Sequence, residues 1–154
     1  MKKLALVSLL GLVTTFGNLA HAAAANANFS VDVTLTTQCR VVGGATPSLA
    51  FAYTAFSASA VGETAPVAIT FECTRNLALP SVAFDGGTAI GVVGGLQYTL
   101  AASAATVTAG SAASTTSIGS ATTYGYSITG SMPAAQAGDA TAAVTAPRTL
   151  IITY

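Results

Sequence analysis

The chain has 154 residues, 52% hydrophobic and only 6% charged, with five basic and five acidic side chains, one histidine and no tryptophan. So apolar a composition excludes the charge-driven kind of disorder. The absence of any basic excess excludes a nucleic-acid binder, which must neutralise phosphates.

The first predicted element stands outside the fold. Lys2 and Lys3, the apolar run Leu4–Val13 and the small-x-small tripeptide Ala20-His21-Ala22 together read as a secretory signal peptide over residues 1–22. Leu4–Val13 is too short to span a bilayer, and Thr14, Thr15 and Asn18 dilute its continuation. The leader holds both lysines and the only histidine. Without it, Arg40, Arg75 and Arg148 stand against Asp32, Glu63, Glu72, Asp85 and Asp139, a net charge of −2. The remainder has the size of one domain with a real core.

Next comes "ANFSVDVTLTTQC", Ala27–Cys39. Ala27, Phe29, Val31, Val33 and Leu35 fall on one side of it; Ser30, Asp32, Thr34 and Thr36 fall on the other. A period of two predicts a half-buried β-strand. The same alternation returns along the chain: Leu49, Phe51 and Tyr53; Val67, Ile69, Phe71 and Cys73; Val82 and Phe84, followed by an Asp-Gly turn signal. "GVVGG", Gly91–Gly95, lacks the lysine and helix of a phosphate-binding loop and reads as a hairpin or loop. Leu96, Tyr98 and Leu100 alternate again, as do Tyr124, Tyr126 and Ile128, and finally Leu150, Ile152 and Tyr154. Ala101–Thr123 is almost entirely Ala, Ser, Thr and Gly; a flexible loop and weakly patterned strands around Val107 and Ile118 both remain open. No helical period competes, so the expectation is an all-β sandwich or barrel.

Two cysteines in an exported chain predict one disulfide. Cys73 falls on the apolar parity of its strand and can tie that strand to the one beginning near Cys39. Closing a loop of roughly 35 residues stabilises by about 4 kcal/mol in the chain-entropy account.

The chemistry that is absent narrows function further. Beyond the leader there is no His and no Lys, which removes His-based metal sites, a Ser-His-Asp arrangement and a lysine Schiff base. Glu72 points to solvent by alternation, and Asp85 and Asp139 read as turn residues. No tuned acid–base pair emerges, so neither an enzyme nor a cofactor is expected.

The order of these segments resembles a family. "VDVTLTTQCRVVGG" is similar to the N-terminal region of the archaic (Csu-type) chaperone–usher pilins, members of the spore coat protein U domain family. "ITFECT" resembles the family's second-cysteine strand, "VAFDGG" the strand and turn after it, and "LQYTL" its Leu-x-Tyr-x-Leu segment. "YGYSITGSMPAAQAGD" looks like its Tyr-Gly strand with a Pro and Gly-Asp turn, and "TLIITY" like its closing strand. The scarcity of charge and the Ala/Ser/Thr stretch depart from the pattern.

The resemblance implies an incomplete immunoglobulin-like β-sandwich lacking its last strand. A periplasmic chaperone fills the gap first. At an outer-membrane usher, the N-terminal extension of the next subunit takes over, so copies of this chain or related pilins join head to tail. It implies that residues 23–37 are a donor extension, with Ala27, Phe29, Val31, Val33 and Leu35 facing a neighbour, and that residues 38–154 form the pilin domain, with Leu150, Ile152 and Tyr154 bordering its groove. Burying four such apolar side chains contributes about 6–12 kcal/mol gross. Strand addition satisfies both the open sheet edge and the exposed apolar surface. The implied role is a pilus subunit at the cell surface, supporting adhesion and biofilm growth.

Periodicity alone cannot say which chain a strand pairs with. Two other readings therefore stay open: a self-contained secreted coat or matrix protein with Phe29–Leu35 as its own first strand, and a small outer-membrane β-barrel ending on Tyr154.

Overall fold

The structure, a computed structural model, describes residues 27–43, 46–140 and 143–154. The leader and the first residues of the extension lie outside the described residues. The chain divides into two units, Met1–Thr34 and Leu35–Tyr154. In the first, residues 27–34 form no strand and lie exposed.

The second unit is all-β, with nine strands among the described residues: β1 (Cys39–Val41), β2 (Val61–Gly62), β3 (Val67–Cys73), β4 (Ser81–Phe84), β5 (Ile90–Val93), β6 (Leu96–Ala102), β7 (Thr106–Thr108), β8 (Thr122–Met132) and β9 (Leu150–Thr153). All pairings are antiparallel. The larger sheet runs β1-β3-β8-β6-β5, with β2 and β7 also on β8; the smaller contains β4 and β9.

β8 is the spine. Thr122, Tyr124, Tyr126, Ile128 and Met132 alternate into the core, while Thr123, Ser127 and Thr129 face outward. Each flank is an interrupted strand. On one side β2 and β3 are separated near Pro66, whose missing N–H cannot serve a ladder. There Glu63 substitutes: its N–H donates to Gly130 O at 3.2 Å, and its Oε2 accepts the Gly130 N–H at 3.0 Å. On the other side, between β6 and β7, Ser103 Oγ accepts the Ser127 N–H at 2.9 Å. At both breaks a side chain keeps the β8 backbone N–H paired.

Side chains from the small sheet pack against this buried face. Val82, Phe84, Leu150 and Ile152 lie against the cluster of Phe71, Cys73, Tyr124, Tyr126 and Ile128. The buried tyrosines remain satisfied: the Tyr124 hydroxyl donates to Leu77 O at 3.0 Å and that of Tyr126 to Pro80 O at 3.5 Å, fastening the β3–β4 connection. Burial pushes the Tyr126 hydroxyl above its ordinary pKa, with a smaller push from Tyr124.

Cys39 and Cys73 are joined by a disulfide. They stand directly opposite in β1 and β3. The bonds Thr74 N–H to Gln38 O and Val42 N–H to Thr70 O, 2.9 and 2.8 Å, flank them in a register that leaves 39 and 73 a non-hydrogen-bonded pair, where side chains come closest. One residue on, Arg40 and Glu72 face solvent as an ion pair at 2.6 Å.

Three sequence expectations are revised. Ala27–Gln38 carries the apolar alternation but no ladder; strand structure starts at Cys39, because a lone strand has nothing to bond. Leu49, Phe51 and Tyr53 share a face as expected, packing on Tyr98, Leu100 and Met132, yet the stretch is irregular and touches the backbone network through Thr64 N–H to Ala50 O. Ala101–Thr123 is neither all loop nor all strand. It holds the end of β6, all of β7 and the start of β8, plus a serine-bonded loop in which Ser120 N–H donates to Ser111 O at 3.0 Å. "GVVGG" resolves as the β5–β6 hairpin, turning on Gly94 and Gly95 with φ of 54° and 70°, the left-handed pair a tight hairpin needs.

Candidate functional site: an apolar cleft beside an open strand edge

Among the described residues β9 pairs with β4 alone. Its register with β4 decides which backbone groups remain free. Asp85 N–H donates to Thr149 O at 2.9 Å, so Thr149, Ile151 and Thr153 turn their N–H and C=O groups toward β4. The backbone groups of Leu150 and Ile152 therefore point the other way, to an edge that no described strand occupies. Their side chains are half-buried and face inward, whereas Tyr154 is 54% exposed. Two of the three expected border residues thus sit on the edge itself, and the third lies just past it.

Beside this edge lies a cleft of about 940 Å³. Leu49, Phe51, Val67, Ile69, Ile128 and Met132 form its apolar floor, Phe84 and Leu150 one wall, and Val144 and Pro147 part of its rim. Gly130 explains part of its shape. A Cβ there would lie 2.6 Å from Phe51 Cζ and 3.0 Å from Leu49 Cδ2, so the missing side chain lets that segment pack against β8.

Two charged residues line the cleft, Asp139 and Arg148, and Arg148 is already engaged. Arg148 Nε donates to Asp85 Oδ1 at 2.8 Å, and its Nη2 donates to Thr88 O at 2.7 Å. The cleft offers apolar surface beside an open ladder, which suits an extended segment with alternating apolar side chains. Among the described residues no group of three or more His, Cys, Asp or Glu is placed to hold a metal.

Of the residues expected to donate, Phe29, Val31, Val33 and Leu35 are 87%, 76%, 81% and 72% exposed, and Ala27 is exposed as well. Sequence reasoning missed the floor residues Val67 and Met132, the Arg148–Asp85 pair and Glu63. Alternation marks Val67 as inward-facing, but nothing local says that it lines a cleft.

No protein-family model, curated protein or solved structure matches this chain.

Proposed function

We propose that this chain is a structural subunit of a chaperone–usher pilus. Exported through the periplasm, it is held there by a chaperone, passed to an outer-membrane usher and polymerised at the cell surface by donor-strand complementation, in support of adhesion and biofilm growth. The observation that carries this reading is the open edge of β9 at Leu150 and Ile152 beside a cleft floored with apolar side chains.

Strand order supports it. Count β2 with β3 and β6 with β7 as single interrupted strands, and β5 as an added edge. The large sheet then reads first, second, fifth, fourth, and the small sheet third and sixth. That order agrees with the ABED and CF strands of an immunoglobulin constant-type sandwich without its G strand, which supports the reading. The G strand lies beside F, which is where β9 is open. The apolar alternation at Phe29, Val31, Val33 and Leu35 supplies a strand of the kind that would fit, and exposure of 72–87% leaves those side chains in need of cover. A membrane barrel fits less well, since a barrel must close and the large sheet ends at β1 and β5.

The test compares thermal unfolding of two versions of the domain. One begins just before Cys39; the other carries "ANFSVDVTLTT" joined after Tyr154 through a flexible linker. The reading expects the joined version to be a stable monomer and the shortened one to aggregate or melt far lower. A shortened domain that is already stable, and gains nothing from the added strand, overturns it in favour of a self-contained coat protein.

A further inference from the structure

Among the described residues three non-glycine residues have positive φ: Phe56 at 59°, Asn76 at 60° and Ala135 at 60°. Asn adopts this region readily, whereas for a bulky aromatic it is a strained outlier. Phe56 is also 73% exposed. Folding of the isolated domain gains nothing from a strained backbone that holds an aromatic ring in water, and such outliers mark functional positions.

The conformation is firmly held. Phe56 N–H donates to Gln136 O and Ala135 N–H to Ser57 O, both at 2.8 Å. The Tyr53 hydroxyl donates to Pro133 O at 2.8 Å and accepts the Gln136 N–H at 3.0 Å. The Gln136 side-chain amide then bonds both backbone groups of Gln97, at 2.7 and 3.0 Å. The ring thus projects from a rigid end of the domain, next to Tyr53 and Ala55, which line the cleft.

β3 runs from Val67, in the cleft, to Cys73 at the other end. Beside the disulfide there lies a hollow of about 510 Å³, bordered by Leu35, Cys39, Glu72, Arg75, Ser111 and Ser120; Leu35 belongs to the extension and leaves this wall when the extension is donated. The chain enters the domain at this end, where Thr74 N–H bonds Gln38 O.

That entry point fixes the direction of a donated strand. β9 runs from the cleft end, at Leu150, toward the disulfide end. A strand antiparallel to it leaves at the cleft end, and its own domain follows within the reach of Leu35–Cys39, at most about 14 Å. The cleft end of one copy then faces the disulfide end of the next, and the contact repeats without closing. A parallel strand would leave at the end where the acceptor's own extension departs, and the two would collide.

We propose that Phe56 of one copy seats in the hollow beside Cys39–Cys73 of the next copy, where Arg75 offers the ring a cation to stack on. This contact rests on the donor-strand reading above and adds a second, rigid junction between neighbouring subunits.

The test replaces Phe56 by the photoreactive aromatic p-benzoylphenylalanine in the full chain, expressed with its chaperone and usher. Assembled filaments are irradiated, and the cross-links are mapped by mass spectrometry in filaments mixed from light and heavy-isotope copies. The expected result is a covalent ladder joining position 56 to residues 74–75 or 111–120 of a different copy. Filaments whose cross-links fall elsewhere, or within one copy, overturn the contact and leave strand donation standing. Failure of the unaltered chain to form filaments overturns both. Phe56→Gly supplies a second measurement. Glycine relieves the left-handed strain, so folding does not suffer; its filaments are expected to dissociate several-fold faster in denaturant, and an unchanged rate overturns the proposal.

Discussion

Arg148 and Asp85 clasp the small sheet at the mouth of the cleft: Arg148 Nε donates to Asp85 Oδ1 at 2.8 Å, and the same oxygen accepts the Thr149 N–H at 3.2 Å. The guanidinium also lies 5.9 Å from the Phe84 ring centre and 5.8 Å from that of Tyr98. The residue leading into β9 is thereby tied to the turn after β4 and to the strand β6. The Arg148 guanidinium, then the Thr149 N–H, hold the Asp85 carboxyl below the usual carboxylate range, while Asp85 and then Tyr98 raise Arg148 further.

The sign of the resulting pH dependence follows. A carboxylate with a depressed folded-state pKa contributes stability that is full above the unfolded value of about 4 and lost as pH falls through the folded value. Asp85→Asn is expected to lower the melting temperature of the strand-completed monomer at neutral pH and to flatten its decline below about pH 4. Melting curves across acid pH check this; an acid limb as steep as that of the unaltered protein would show the clasp to be idle.

Cys39→Ser removes a cross-link spanning 34 positions of sequence. A loss of about 2–5 kcal/mol is expected. Subunit yield should fall more than fibre shape changes, and paired denaturant titrations with fibre micrographs measure both. Unchanged yield and stability would mean that the β1–β3 ladder suffices without sulfur.

Val33→Asp places a charge at the middle of the exposed apolar face of the extension, where Val33 is 81% exposed. On the proposed pilus reading it is expected to block polymer formation while leaving a subunit–chaperone complex intact, since on that reading the chaperone fills the groove and the extension stays free. Ordinary fibres from this variant, seen by electron microscopy, would sink strand donation.

Gly130→Ala builds a methyl 2.6 Å from Phe51 Cζ, so the ring must shift. Overpacking of this kind costs about 1–3 kcal/mol. Phe51→Leu is expected to recover part of that loss, and a double-mutant cycle on the strand-completed monomer reads the coupling. Additive effects would mean that the floor beneath the cleft yields without strain.

Much of this architecture is legible in period-two alternation. Val67–Cys73, Leu96–Leu100 and Tyr124–Ile128 present the faces that the sequence assigns them, and the parity of Cys73 places its sulfur in the core, 1% exposed. The pattern identifies faces but not partners. That is why Leu49–Tyr53 reads as a strand although it is an irregular segment sharing the same inward set. It is also why Arg148–Asp85, 63 positions apart, and Glu63–Gly130, 67 apart, left no local signal. Of the candidate site, Leu150 and Ile152 were visible as apolar alternation. The cleft that Leu150 lines was not, because a surface left open between segments far apart in sequence has no local signature.

The Cys39–Cys73 bond also sets how the domain bears tension. β1 is only three residues long, and a ladder so short would peel open pair by pair under a pull on the chain ahead of it. Once the hydrogen bonds between Gln38 and Thr74 give way, the next pair that such a pull meets is Cys39 with Cys73, which is covalent. Force entering there passes through sulfur into β3 and spreads along the seven residue pairs that β3 shares with β8. Those pairs are loaded together in shear, so the domain resists as one body and does not unzip from its end.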